Sequence, residues 1–510
     1  MRKKNIVVAS HRLETYNRCM PISMMDFLLK KIGTRLIAGI LTGKPRDLRR
    51  LLLLRKLPFD FYGLQAFLMG VEQSLPRETG LAAQLLRVGK LVNPQVKRRL
   101  IENLIFNWGV IWPKLRARML KQGIWIPNFI AISPTMRCNL QCRGCYSGMY
   151  SKEEQLSSET LDRLFCEAKS FGSYFVVITG GEPYLLSKTL LPLFRKHHDM
   201  FFLTYTNGTL LDQSTVAALA ELGNVAPGIS VEGFQEQTDR RRGQGVYASV
   251  MEAARRLRQA GVFYGISVTY TAENLDEVTS EAFVKHFIDQ GAQFAWYFMF
   301  MPVGRDPVLE LVPTPEQRVA CGQRISELRE KLPLFMADFW NDGPAAGGCL
   351  AGARSYLHIL ASGRVEACVF AHFGVDSIYE KSILEAANSP FFRAIRSRFP
   401  YNENGNLRRP CMIIDNPQVL RDLVQEYLVP YGHPVAEDII RNPSTVEWID
   451  RYAKRFQELT DPLWEAQIND PRDRWYREGE EYRQLFRFRR EGQEPSRAES
   501  KDEPTGIRAT

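Results

Sequence analysis

The chain has 510 residues, 45% of them hydrophobic and 24% charged, with a formal net charge of +10. That length accommodates two or three domains, and that apolar content excludes a mainly disordered protein. Residues 1–127 hold 24 Lys+Arg against 7 Asp+Glu, so the basic character belongs to the N-terminal region alone and the remainder is net acidic.

The stretch from Met1 to Arg12 has too short an apolar run for a secretory signal, and no long apolar run marks a membrane-spanning helix. Residues 1–127 read as a basic amphipathic helical region. Met25, Leu28, Leu29, Ile32, Leu36 and Ile40 recur at helical spacing, with Lys30, Lys31 and Arg35 between them. Arg46, Arg49, Arg50, Arg55 and Lys56 surround Leu51–Leu54, and a second apolar-basic stretch runs from Val96 to Lys121 with Trp108, Trp112, Arg116 and Arg118. Two readings stand. Either these helices pack on the main body and show solvent a basic face, or they lie on an anionic membrane with their tryptophans at the interface. No nucleic-acid motif or basic-aromatic platform is present, so nucleic acid is not an expected partner.

From residue 128 strand and helix signals alternate. Candidate strands are 128–134, 174–179, 200–206, 226–231, 263–269 and 293–300, with helical stretches near 156–171, 188–198, 212–222, 246–260 and 277–290. This pattern predicts an α/β fold with a parallel sheet, open or closed into a partial barrel, and a site at the C-terminal strand ends. After the first strand comes Cys138-Asn139-Leu140-Gln141-Cys142-Arg143-Gly144-Cys145. The C-x3-C-x2-C spacing puts three thiols on one loop, which suits a metal or an iron–sulfur cluster and leaves a fourth position open. A structural zinc with a borrowed ligand, or three buried thiols, are the other readings. After the second strand comes Gly180-Gly181-Glu182-Pro183: two glycines that let backbone approach a ligand, then a carboxylate expected at the rim.

Farther on, residues 301–348 form a bridge with the aromatic and acidic run Asp338–Gly343. Cys349, Gly363 and Cys368 then follow one another as C-x13-G-x4-C, around a segment that reads as a β-hairpin turning at Ser362-Gly363. Cys411 and His372 lie downstream. Cys19, Cys166 and Cys321 are isolated and read as small buried hydrophobes. An odd cysteine total, with three crowded on one loop, argues against a disulfide framework and for a reducing cytoplasm. Residues 416–488 read as helical, and 489–510 as a disordered tail.

The cysteine loop and the Gly180–Pro183 turn together resemble the radical S-adenosylmethionine (radical SAM) superfamily, and the Cys349–Cys368 pattern resembles the opening of its SPASM/twitch extension. The resemblance implies a partial (β/α)6 TIM-like barrel over 128–305 and a SPASM/twitch-like region over 306–415. It implies an enzyme with a [4Fe-4S] cluster on Cys138, Cys142 and Cys145 whose open iron binds SAM. Gly180, Gly181, Glu182 and Pro183 would meet the SAM amino group. Asn207, Ser230 and Glu232, at the ends of the third and fourth strands, would take ribose and carboxylate groups, or merely cap the next helices. One arginine of the run Asp239–Arg242 would pair with the SAM carboxylate, or the run is simply solvated. A second iron–sulfur cluster would sit on Cys349, Cys368 and Cys411, its fourth ligand absent, His372 or another side chain, or substrate. A full SPASM domain has more downstream cysteines, so one auxiliary cluster is implied, with a three-cysteine, one-histidine zinc site as the competing reading.

The implied chemistry is reductive cleavage of SAM, with an electron from a flavodoxin- or ferredoxin-like donor, and hydrogen abstraction by the resulting 5′-deoxyadenosyl radical. No catalytic residue stands out beyond these binding groups. For the substrate, the basic N-terminal region favours a membrane lipid or membrane-associated molecule, with the protein peripheral at the inner face of the membrane. Peptide modification, as by SPASM-type maturases, is the alternative. A reading of another class is a non-catalytic zinc-binding, membrane-associated adaptor.

Overall fold

Short runs such as Phe-Val-Val-Ile and Phe-Phe-Leu-Thr-Tyr-Thr join aromatic and β-branched side chains, which pack well on a pleated surface buried on both faces. The computed structural model describes residues 24–53, 64–77, 80–305 and 307–470. In it six such runs form parallel strands: β1 (Ile130–Ile132), β2 (Phe175–Ile178), β3 (Phe201–Thr206), β4 (Val225–Val231), β5 (Gly265–Tyr270) and β6 (Phe294–Met299). They pair in sequence order, each with the next. Helices cross between them, several started by side-chain caps: Ser157 accepts from Thr160 N at 3.1 Å and Asp212 from Thr215 N at 2.7 Å.

The sheet does not stop at six strands. β7 (Phe335–Asp338) adds in parallel to β6. At the other edge β8 (His358–Ile359) pairs in parallel with β1, followed by antiparallel β9 (Arg364–Glu366) and β10 (Asp376–Ser377). The order is therefore β10-β9-β8-β1-β2-β3-β4-β5-β6-β7. The hairpin expected between Tyr356 and Cys368 exists, and it continues the barrel sheet. A buried polar chain fixes the seam: Ser133 Oγ lies 2.7 Å from His358 Nε2, and Tyr150 Oη donates to Glu366 Oε2 at 2.9 Å.

Ahead of β1 come α1 (Met24–Ile40), α2 (Pro45–Leu51), α3 (Leu64–Ser74), α4 (Gly80–Leu91), α5 (Pro94–Leu100), a π-helical stretch Ile101–Ile111, and α6 (Trp112–Lys121). These helices cover the N-terminal ends of the barrel strands. Arg87 reaches the carbonyls of Ile288, Ala292 and Pro333, before β6 and β7. Asn93 Nδ2 donates to Ala260 O at 3.1 Å, before β5, and Asn103 and Asn107 donate to the carbonyls of His198, Asp199 and Met200, before β3. The tryptophans belong to this seal, not to an interface with lipid. Trp112 is buried with its Nε1 donating to Pro127 O at 3.1 Å, and Trp108 donates to Asn128 O at 3.3 Å. Arg116 is buried too, its guanidinium 3.9 Å from the Trp125 ring centroid.

Helix α1 is the outer layer of this cap. It packs through buried Thr34 and through Gly33, where a Cβ would lie 2.3 Å from Phe106. Leu28, Ile32 and Leu36, one turn apart, are 44%, 57% and 56% exposed, with exposed Lys31 and Arg35 beside them. No described helix is long and apolar enough to cross a membrane. The C-terminal part is helical through Pro443–Asn469. The expected tail at 489–510, Cys19 and residues 1–23 lie outside the described residues.

Candidate active site

The loop after β1 is fixed from two sides at the C-terminal strand ends. Gly181 N donates to Thr135 O at 3.0 Å and Glu182 N to Arg137 O at 2.8 Å; Arg143 N donates to Arg241 O at 2.9 Å and Arg305 N to Cys145 O at 3.0 Å. Two glycines allow that approach. Gly144 has φ +64° and a Cβ there would lie 2.4 Å from Phe300, while a Cβ on Gly181 would lie 2.0 Å from Arg137 O. The Gly-Gly turn is thereby pressed onto the cysteine loop, and the two motifs form one wall.

Cys138, Cys142 and Cys145 stand in that wall, facing a cavity of about 690 Å³ that Gly180, Gly181, Asn207 and Ser230 also line. Donors approach the sulfurs: Leu140 N lies 3.4 Å and Asn207 Nδ2 3.8 Å from Cys138 Sγ, and Ser147 Oγ lies 3.4 Å from Cys145 Sγ. Burial works against ionisation, raising the Cys138 and Cys142 thiols, and at Cys138 the charges of Glu182 and the other two cysteines add to it. Three thiolates held this way call for local positive charge of the kind metal ions supply.

Among the described residues, the one set of three His, Cys, Asp or Glu ligand atoms all within 4.8 Å of one another is Asp162, Cys166 and His197, on the outside of the barrel. Three cysteines on one loop beside the cavity are a donor set that fits an iron–sulfur cluster with one position open. At the outer set, Lys196 Nζ sits 2.8 Å from Asp162 Oδ2 and already supplies the cation. Cys166, expected to be buried, is exposed there, whereas Cys321 is buried.

Three sequence expectations change in detail. Glu182 does not face the rim: it is fully buried, Oε1 accepting from Tyr184 N at 3.0 Å and Thr206 Oγ1 at 2.8 Å, and Oε2 from Asn207 N at 2.8 Å. Those donors draw the carboxylate inward, where it orders the ends of β2 and β3, and Pro183 is buried with it. Glu232 is also buried, its Oε1 2.7 Å from Arg241 Nη1 and 2.8 Å from Arg242 Nε. It steadies the two arginines that line the cavity, while Arg240 turns away to Glu236 at 2.5 Å. His372 has both ring nitrogens engaged, Nε2 3.1 Å from Val369 O and Nδ1 2.8 Å from His433 Nε2.

The cavity has a chemical polarity that the motifs did not reveal. Arg137, Lys152, Arg241, Arg242 and Arg305 all line it, and among the described residues no carboxylate does. Tyr205, Phe298, Phe300 and Met301 supply its apolar wall. Arg305 lies just past β6, so applying the strand-end rule to the sixth strand locates it; Lys152 carries no sequence signal.

Cys349, Cys368 and Cys411 also come together. Burial pushes the Cys349 thiol up to about 12, with the charge of Cys368 adding to it, and raises Cys411, with Asp415 and Cys349 adding there. Tyr356 Oη donates to Cys368 Sγ at 3.1 Å and Ile413 N to Cys411 Sγ at 3.4 Å. Phe370, two residues past Cys368, lines the first cavity.

Residues 132–283 match the Radical SAM superfamily. The chain is 31% identical to the Fe-coproporphyrin III synthase of Methanosarcina barkeri over 28% of this chain and 37% of that protein. It is 26% identical to the AdoMet-dependent heme synthase of Oleidesulfovibrio alaskensis over 56% of this chain and 81% of that protein. It is 28% identical to the sporulation killing factor maturation protein SkfB of Bacillus subtilis over 30% of this chain and 38% of that protein. The match thus spans little more than a third of the first and third of these relatives. Cysteine loop, glycine turn and strand order agree with that match, and residues 132–283 carry a radical SAM superfamily domain.

Proposed function

We propose that this protein is a SAM-cleaving, hydrogen-abstracting enzyme whose substrate is an anionic molecule with an apolar body. The observation that carries the reading is the shared wall: the C-x3-C-x2-C loop and the Gly180-Gly181 turn face one cavity lined by five cations and no described carboxylate. Cys138, Cys142 and Cys145 would hold a [4Fe-4S] cluster, and Gly180, Gly181, Asn207 and Ser230 would seat SAM against it. When bound and reduced by one electron, that pair supplies homolytic cleavage of SAM to methionine and a 5′-deoxyadenosyl radical. The electron would come from a flavodoxin- or ferredoxin-like partner.

The remaining work falls to this chain's own groups. Arg241 and Arg242, steadied by Glu232, would pair with the SAM carboxylate. Arg305 and Lys152 would hold the substrate's anionic group beside the cysteine wall, and Phe298, Phe300 and Met301 would exclude water from the reacting carbon. Cys349, Cys368 and Cys411 would hold an auxiliary cluster. The relatives' names divide between haem-type and peptide chemistry, and SkfB supports a peptide as one substrate of this class. A second reading, peripheral binding to an anionic membrane, is supported by the exposed Leu28, Ile32 and Leu36 stripe beside Lys31 and Arg35. That stripe lies at the end of the barrel opposite the cysteines, so membrane binding would leave the cavity facing the water.

The test is iron, acid-labile sulfide and 5′-deoxyadenosine formation on one anaerobic sample. About eight irons with cleavage agrees with two four-iron clusters. Zinc without sulfide or cleavage would replace the enzyme reading with a metal-binding adaptor.

A further inference from the structure

The auxiliary cysteines already receive hydrogen bonds from Tyr356 Oη, Phe370 N and Ile413 N. One more donor stands near them with nothing to donate to. Tyr401 is 7% exposed, and its hydroxyl oxygen is buried without a hydrogen-bond partner among the described residues. That hydroxyl feels the charge of Cys349, Cys368 and Cys411 together. Its placement is held by the strap carrying Cys349. Tyr401 packs edge-on to Phe399 with centroids 5.4 Å apart, and the Arg354 guanidinium sits 3.5 Å over Phe399. Arg354 in turn donates to Gly347 O at 2.9 Å and to Cys349 O.

A buried hydroxyl left without an acceptor is destabilising. Among the described residues no protein group accepts from it. The cysteine sulfurs, whose charge this hydroxyl feels, are the acceptors the site offers. We propose that Tyr401 donates a hydrogen bond to a sulfur of the cluster held by Cys349, Cys368 and Cys411, and so raises that cluster's reduction potential. The inference rests on the reading that these cysteines hold an iron–sulfur cluster. Hydrogen bonds to cluster sulfurs offset the added negative charge of the reduced state and move the potential upward.

The experiment uses full-length protein purified anaerobically, wild type and Tyr401→Phe. Iron and sulfide are counted, and each cluster signal is followed by electron paramagnetic resonance during a redox titration. The expected result is unchanged iron, a downward shift of the auxiliary midpoint, and an unmoved signal from the other cluster. Hyperfine spectra of the reduced wild-type protein in H2O and D2O should show an exchangeable proton on the auxiliary cluster that Tyr401→Phe lacks. An unmoved midpoint overturns the proposal. Absence of that proton from the wild type also overturns it, a result that stands even if the variant misfolds. An iron–phenolate charge-transfer band in the wild type would overturn it differently, by making Tyr401 a ligand. If Cys368→Ala keeps its full iron, the underlying cluster reading fails instead, and the iron count separates that case.

Discussion

The ring of Tyr146, next to Cys145, packs 5.4 Å from the ring of Phe370, two residues past Cys368. Phe370 also meets Trp340 at 5.1 Å. The two cysteine sites thus share one aromatic contact. Replacing Phe370 by alanine is expected to cost roughly 3 kcal/mol through the cavity it opens. Urea unfolding of the holoprotein measures this, and an unchanged midpoint would show that the contact does not join the two parts.

Separate losses are expected from the two trios. Cys142→Ala should remove about four irons along with SAM cleavage, and Cys368→Ala about four irons while cleavage persists. Iron analysis beside a 5′-deoxyadenosine assay reads both. Cleavage retained by Cys142→Ala would refute the first ligand assignment.

Gly181→Ala forces a methyl group toward Arg137 O, which a Cβ would approach to 2.0 Å. Separating the turn from the cysteine loop should cost about 1–3 kcal/mol and weaken SAM binding. Equilibrium dialysis with labelled SAM tests this. Wild-type affinity in the variant would mean the two motifs do not act as one wall.

Asp338 gives a pH dependence. It is buried at the end of β7, accepting from Asn341 Nδ2 at 2.7 Å, and burial, with Asp342 nearby, lifts its carboxyl from 3.8 to about 6. The folded state therefore holds this proton more tightly than the unfolded chain. Its contribution to stability is full below pH 3.8 and is lost as pH rises to about 6, by roughly 3 kcal/mol. The difference in unfolding free energy between wild type and Asp338→Asn should fall by that amount between about pH 3 and pH 7. A flat difference would place the titration elsewhere.

The outer stripe of α1 makes a prediction independent of catalysis. Full-length protein should sediment with vesicles of phosphatidylglycerol and phosphatidylcholine, less with phosphatidylcholine alone, and less at high salt. The double substitution Ile32→Glu and Leu36→Glu should keep it in the supernatant. Equal sedimentation of the variant would exclude the stripe, and a dimer that the substitutions dissolve would make it a self-association face.

The six central strands were legible because each is a short run rich in apolar, aromatic and β-branched residues, punctuated by helices. β7 was not: Phe-Met-Ala-Asp has no β-branched residue and ends in a charge. β8 and β10 are two residues each, below any periodicity. The N-terminal helices were readable one by one, but not their partner. The bonds that seat them run from Arg87, Asn93 and Asn103 to backbone carbonyls distant in the chain, and carbonyls leave no trace in a sequence. At the site, the cysteines and glycines were legible because their spacing carries the chemistry. The inward turn of Glu182 was not, since it depends on donors from Thr206 and Asn207 on the next strand.

The pairing of Ala131 with His358 joins residues more than two hundred positions apart. During synthesis β1 therefore waits, with one edge open, until most of the polypeptide has left the ribosome. The cysteine loop that follows β1 spends that interval without the hairpin that later flanks it. Such non-local closure makes folding slow, and a chain truncated before β8 would leave the outer edge of β1 unpaired while the cysteine loop kept its bonds to Gly181, Glu182 and Arg241.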